Sequence, residues 1–251
     1  MRAPIAWRWL GRRAYESALA VQEACWRARR AGGYDTCIAV EHPPTITLGK
    51  RATRSELRVS DAVLAARGIA CVAAERGGWA TYHGPGQLVL YPIVALAARG
   101  FGVASFVCTL EQIMIELAAE AGVVARRDPR GHGVWTEHGK LGAVGIRVRD
   151  GVSLHGLALN VTTDLDAFAL IRPCGLTGLS VTSLAAEGVR PVSVARLLPA
   201  AEAIARRALA AAPPFGVDAP PLDADLPRSA SLVRPQPAPP ARGGSMAEAG
   251  I

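Results

Sequence analysis

Two apolar runs, AVGIRV (143 to 148) and VSLHGLALNV (152 to 161), are separated only by Arg149-Asp150-Gly151. So short a connection predicts a hairpin, which makes the two runs antiparallel neighbours and commits the chain to a sheet through its middle. The flanking segments supply helices to cover it. Residues 13 to 30 place Tyr15, Ala18, Leu19, Gln22 and Trp26 on one helical face, ended by Gly32-Gly33. TCIAVEH and TITLG read as two short strands broken at Pro43-Pro44, and SDAVLAARG as a short helix capped by Ser60 and stopped at Gly68. IACVAAE and QLVLYPIV are strand-like runs on either side of the glycine-rich RGGWATYHGPG. Phe106, Leu110, Ile113, Met114 and Leu117 recur at helical spacing from Val103 to Glu120. Strands dominate from Val123 to Val161, and a last helix runs from about Ser193 to Leu209. The expected class is α+β, a largely antiparallel or mixed sheet with packed helices.

With 251 residues, 50% of them hydrophobic, the chain suffices for one large domain, expected over 1–211. From 212 the texture changes, with nine of the eighteen prolines in the last forty residues. Such a segment cannot bury enough apolar surface to offset its ordering entropy, so 212–251 is expected to be a flexible tail. No apolar run approaches the ~18 residues that span a bilayer, and the N-terminus lacks the apolar core and cleavage site of a signal peptide. A soluble, cytoplasmic protein with no membrane partner is expected. Five widely spaced cysteines without a CxxC suggest neither a disulfide framework nor a thiolate zinc site, and His132 and His138 have no neighbouring ligand pattern. No metal and no cofactor are expected. A net charge of +7 favours acidic partners, and by itself fits nucleic acid as well as an acidic protein. The arginines are spread along the chain, aromatics are 5%, and no nucleic-acid motif accompanies them.

Chemistry concentrates elsewhere. Lys140, in GKLGAVGIRV, is one of only two lysines beside 26 arginines. Arginine cannot shed its proton at a working pH, whereas a lysine among apolar neighbours can take part in proton transfer. A lysine at a strand end is ordinarily solvent-exposed, so Lys140 alone decides nothing. Cys174 lies between Pro173, which restricts the backbone, and Gly175, which removes bulk beside the sulfur. A thiol there needs a partner to become a thiolate near neutral pH, and the five histidines and Lys140 are the candidates. His83, in YHGPG, reads equally as a turn histidine bonded to backbone. Glycines in RGGWATYHGPGQ, in GKLGAVGIRV with SLHGLALNV, and in IRPCGLTGLSVTSL would let backbone approach a ligand, although none forms a phosphate-binding loop.

Taken together, RGGWATYHGPGQLVLYPI, HGKLGAVGIRV, HGLALNV and PCGLTGLSVTSL, in this order, with EHPPTITLGKR upstream, resemble the lipoyl(octanoyl) transferases, octanoyl-acyl carrier protein:protein N-octanoyltransferases. The resemblance spans roughly residues 7 to 200. It implies the α+β catalytic domain shared with biotin and lipoate protein ligases. It implies Cys174 as acyl-thioester nucleophile and Lys140 as the lysine that activates it. The implied substrate contacts are Arg76, Gly77, Gly78, Trp79, Ala80, Thr81, Tyr82 and His83, then Ala143, Val144 and Gly145, then Gly156, Leu157 and Ala158. One departure is Trp79, where that family usually carries a polar or charged residue after the glycine pair.

The implied partners are octanoyl-acyl carrier protein as donor, and as acceptors the lipoyl domains of 2-oxoacid dehydrogenase complexes and the glycine cleavage H protein; nucleic acid is not among them. The glycine and alanine positions at 143 to 145 and 156 to 158 are expected to line a narrow apolar slot for the acyl chain. Two other readings stay open at this point: an ATP-dependent lipoate or biotin ligase, which needs no Cys174, and a non-catalytic module that binds acyl carrier or lipoyl domains.

Overall fold

The computed structural model describes residues 4–172 and 180–210. Cys174 and the segment 212–251 lie outside the described residues.

The chain runs β1 (Ala6–Arg12), α1 (Tyr15–Arg30), β2 (Thr36–Glu41), β3 (Thr45–Leu48), α2 (Asp61–Ala66), β4 (Ala70–Ala73), β5 (Ala80–His83) and β6 (Gln87–Ile93). It continues with α3 (Val103–Glu120), β7 (Gly133–Trp135), β8 (Lys140–Arg149), β9 (Val152–Asn160) and α4 (Val194–Ala208). Six strands form a mixed sheet in the order β1-β2-β6-β9-β8-β7, and three form a smaller one in the order β4-β3-β5. In the large sheet only β1 and β2 are parallel.

The hairpin expected at 149 to 151 is the joint between β8 and β9. Asp150 and Gly151 both take positive φ, 49° and 73°, the pair of left-handed residues a two-residue hairpin turn requires. Arg149 then faces Val152, and the ladder runs without a slip to Gly142 opposite Leu159.

The central strands β6 and β9 are buried along their whole length because both faces of the large sheet are covered. Successive side chains point to opposite faces. Thus Cys37 and Ala39 of β2, Leu88 and Leu90 of β6, and Leu157 and Leu159 of β9 join one core with α3 and α4. Ile38 and Val40, Val89 and Tyr91, and Leu154 and Ala158 join a second core with Ala18 and Cys25 of α1. Phe106, Leu110, Ile113, Met114 and Leu117, the helical stripe read from the sequence, are all fully buried. Each such side chain contributes about 1.5–3 kcal/mol relative to exposure. The caps follow the local chemistry: Ser60 accepts from Val63 N–H at 3.4 Å, and Ser193 accepts from Arg196 N–H at 3.3 Å.

The small sheet has its own core of Ile46, Leu48, Leu64, Ala80, Tyr82, Phe168 and Ile171. The chain leaves the large sheet for it at His42-Pro43-Pro44 and returns at Gly84-Pro85-Gly86. Two strands had no counterpart in the sequence reading. β1 is an edge strand with three of its seven residues exposed, and β5 lies inside the glycine-rich RGGWATYHGPG. Among the described residues no helix is long and apolar enough to cross a membrane.

Candidate active site

The hairpin register brings two of the implied contact segments face to face: Ala143 is opposite Ala158, Val144 opposite Leu157, and Gly145 opposite Gly156. Alternation then divides the six. Leu157 belongs to the core under α3 and α4, with Val144 packed against it, whereas Ala158 faces the α1 side. On that second face Arg76-Gly77 crosses β8 and is held there by Gly77 N–H on the Ile146 carbonyl at 2.8 Å. A Cβ at Gly145 would lie 3.2 Å from Arg76 Cδ and 3.2 Å from the Gly77 carbonyl oxygen, so glycine lets the crossing chain sit this close to β8.

The segment 76–83 is divided in the same way. Ala80 and Tyr82 are buried in the core of the small sheet, with Tyr82 edge-on to Phe168. Gly78 takes φ 88°, and Trp79 is half-buried, its carbonyl accepting from Gly49 N–H. Thr81 is half-buried opposite Thr47. Arg76 and His83 are buried toward the junction of the two sheets, at 7% and 5% exposure. Arg76 Nη2 donates to the Thr47 carbonyl at 2.8 Å and to its hydroxyl at 2.7 Å, and Nε donates to the same hydroxyl at 3.1 Å. His83 Nε2 lies 3.5 Å from that hydroxyl, and His83 Nδ1 lies 2.7 Å from Gln87 Oε1.

His83 is one of five rings gathered at the junction with Tyr15, His42, Tyr91 and His155. His42 Nε2 meets the Tyr91 hydroxyl at 2.8 Å, and the Tyr15 hydroxyl meets His155 Nδ1 at 3.4 Å. Burial, reinforced by His42 and Arg76, pulls the His83 pKa down to about 3. Burial and then Arg76 pull His155 down to about 4, and burial lowers His42 as well. Tyr15 is pushed up to about 12 by burial. At neutral pH all five rings are uncharged, and Arg76 is a cation that acts on His83, His155, Tyr15 and Tyr91. The motifs containing these residues were visible in the sequence; their convergence was not, because it depends on α1, β5, β6 and β9 meeting at one seam.

Lys140 is the first residue of β8 and is 6% exposed, which overturns the ordinary expectation for a strand-end lysine. Its Nζ lies 5.2 Å from the ring centre of the buried Trp135. Its backbone is clasped by the chain that follows Cys174: Lys140 N–H donates to the Ser180 carbonyl at 2.9 Å, and Thr182 N–H donates to the Lys140 carbonyl at 3.0 Å. Glu187 locks this pairing by accepting from the Thr136 hydroxyl at 2.8 Å and the Thr182 hydroxyl at 2.6 Å, with His138 Nδ1 at 2.9 Å. Burial works to raise the Glu187 carboxyl, and the bonds from Thr182, His138 and Thr136 overcome it, so it sits below its ordinary value. On the other side of Cys174, Arg172 N–H donates to the Glu56 carbonyl at 2.8 Å. Of the cysteines among the described residues, Cys25, Cys37 and Cys108 are buried and Cys71 is half-buried. Burial raises the thiols of Cys37, Cys71 and Cys108, which keeps them protonated.

Residues 14–204, which hold every element of this site, match the lipoyl protein ligase A/B catalytic domain. The chain belongs to this family. Within the family it is 50% identical over 182 residues to an octanoyltransferase of Desulfotalea psychrophila, covering 71% of this chain and 82% of that one. To an octanoyltransferase of Geobacter metallireducens it is 42% identical over 210 residues, covering 83% and 92%. Lipoate-protein ligase A bound with ATP superposes with a TM-score of 0.69 at 19% identity, over 82% of this chain and 86% of the ligase. A bipartite lipoate protein ligase from Thermoplasma acidophilum gives a TM-score of 0.65 at 19% identity, over 83% and 84%. The mixed sheets and covering helices are therefore the catalytic fold of the lipoate ligases, as the resemblance implied.

Proposed function

We propose that this family member is an octanoyltransferase that moves an octanoyl group from acyl carrier protein to a lysine of a lipoyl domain through a thioester on Cys174. The observation that carries this reading is the clasp of Lys140: a buried lysine whose backbone pairs on both sides with the chain leaving Cys174. The 42–50% identity to octanoyltransferases supports transfer over ATP-dependent ligation, since the likeness to ligases is at 19% identity and one of fold.

Lys140 takes the proton of Cys174, and the thiolate attacks the carbonyl carbon of the octanoyl thioester. The new C–S bond forms as the bond to the carrier's sulfur breaks, and Lys140 returns the proton to the departing carrier thiol. The amine of the acceptor lysine then attacks octanoyl-Cys174. A C–N bond forms, the C–S bond breaks, the Cys174 thiolate is regained, and Lys140 accepts the proton the amine releases. Thioester to amide is downhill, so no nucleotide enters. Ala143, Gly145, Gly156 and Ala158 bound the acyl slot on the α1 side of the sheet, with Arg76 and His83 at its wall. The acceptors are lipoyl domains of 2-oxoacid dehydrogenase complexes and the H protein of glycine cleavage.

Intact-mass spectrometry after brief incubation with octanoyl-acyl carrier protein tests the reading. A single octanoyl adduct is expected on the unaltered chain and none on Cys174→Ala. An adduct that survives in Cys174→Ala, or octanoylation that requires ATP, would overturn it.

A further inference from the structure

Gln87 and Asn160 are Cα partners across β6 and β9, and both side chains are buried, at 2% and 3% exposure. Their amides form a chain whose two ends are backbone carbonyls. Asn160 Nδ2 is 3.0 Å from the Thr182 carbonyl oxygen, and Gln87 Nε2 is 3.1 Å from the Tyr82 carbonyl oxygen. A carbonyl oxygen only accepts, so each of these atoms must be the amide nitrogen. Asn160 Oδ1 then faces Gln87 and accepts from its Nε2 at 2.9 Å. Both amide hydrogens of Gln87 are thereby used, and its Oε1 is left toward His83 Nδ1 at 2.7 Å. An oxygen acceptor requires Nδ1 to carry the imidazole proton. His83 Nε2 is consequently the acceptor end, on the side of the Thr47 hydroxyl to which Arg76 donates. Only one arrangement of hydrogens satisfies the whole chain.

At its other end the chain reaches the reaction centre proposed above. The Thr182 carbonyl is held by Asn160, its N–H by the Lys140 carbonyl, and its hydroxyl by Glu187. Leu184 N–H also donates to the Asn160 carbonyl at 3.0 Å.

We propose that Gln87 and Asn160 are positioning residues for acyl transfer: they fix His83 with its proton on Nδ1 and, through Thr182, set the backbone of Lys140. Neither touches the reacting atoms. They act by joining the wall of the acyl slot to the lysine, so that one side cannot shift without the other. The half of this inference that concerns Lys140 rests on the function proposed above; the half that concerns His83 does not.

Long-range nitrogen–proton correlation spectra of the histidine side chains in the full chain, with His83 identified by its loss in His83→Gln, read the tautomer without turnover. The unaltered protein should show His83 neutral and protonated on Nδ1 at neutral pH, and Gln87→Leu should lose that preference. An Nε2 proton in the unaltered chain, or a tautomer unmoved in Gln87→Leu, would overturn the assignment.

Near-isosteric Gln87→Glu and Asn160→Asp keep the acceptor of each amide and remove its donor, so both should retain the Nδ1 tautomer. Each should lower kcat by on the order of 10- to 100-fold, the scale of a small misplacement, with KM for the carrier within about twofold. Unchanged kcat in variants whose near-ultraviolet circular dichroism is native would sink the link to Lys140. If either variant does not fold, Asn160→Ser serves for the same split. If the unaltered chain formed no octanoyl-enzyme, the reading of function would fall, while the tautomer would still decide the role of Gln87.

Discussion

Gly145 lies directly against Arg76: a Cβ there would meet Arg76 Cδ at 3.2 Å and the neighbouring Gly77 carbonyl oxygen at the same distance. A methyl would have to displace the crossing chain by a few tenths of an ångström, and a branched side chain by more. Gly145→Val is therefore expected to lift Arg76-Gly77 off β8 and break the Gly77 N–H to Ile146 carbonyl bond. Overpacking of this kind costs about 1–3 kcal/mol. A melting temperature lower by several degrees and a raised KM for the acyl donor would be seen; native values for both would mean the crossing chain is not part of the slot.

Lys140→Arg keeps a positive charge but places there a side chain that does not give up its proton at a working pH. If Lys140 moves protons in both half-reactions, single-turnover rates of acylation and of transfer to a lipoyl domain should each fall by about 10²–10⁴-fold. Measuring the two steps separately across pH distinguishes this from a charge that only holds the thiolate, for which arginine would keep much of the acylation rate.

Asp35 ties three segments together. It accepts from Arg29 Nε at 2.6 Å, from Ala95 N–H at 2.9 Å and from Arg99, and both Asp35 and Arg99 are buried. Asp35→Ala breaks a buried pair from one side while the Arg99 guanidinium keeps the Ala210 carbonyl at 3.2 Å, and a cost on the order of 3 kcal/mol is expected. Equilibrium urea unfolding should show that loss, and a cost near zero would mean the bridge contributes no net stability.

Acid should destabilise the fold through its buried histidines. His83 and His155 have folded pKa values of about 3 and about 4, below the ordinary 6.5. Between these limits the unfolded chain binds protons that the folded chain refuses, so stability is full above the ordinary histidine value and is lost as pH falls from there toward 4. The slope is about 1.4 kcal/mol per pH unit for each proton withheld. His155→Gln should flatten the dependence of melting temperature on pH over that window, and an unaltered slope would show that His155 takes up its proton normally in the fold.

What the sequence made legible was whatever local chemistry decides. The Asp150-Gly151 turn fixes the ladder, and the ladder alone sets Ala143, Val144 and Gly145 against Ala158, Leu157 and Gly156. The stripe of α3 and the caps at Ser60 and Ser193 are equally local. Lys140 could be singled out as a rare residue, but its burial could not, since it comes from Trp135 and from the return of Ser180 to Thr182 across the chain. The amides of Gln87 and Asn160, separated by 73 positions, become neighbours only through strand order. Val144 and Leu157 show the opposite limit: each stands in the middle of a contiguous segment that the resemblance implies, and alternation along the strand turns it toward α3 and α4, away from its two neighbours.

The excursion between β2 and β6 has a kinetic meaning. These strands are neighbours in the large sheet, yet residues 42 to 86 between them are spent on the small one, whose core also takes Phe168 and Ile171 from far downstream. The small sheet therefore cannot finish collapsing as a unit on the ribosome; it waits until β9 has been made and the chain has come back. Cys174 follows three residues after Ile171. The stretch of chain that leads toward Cys174 is thus seated only after β9 exists to bring it back, and α4, which completes the core under the large sheet, comes later still.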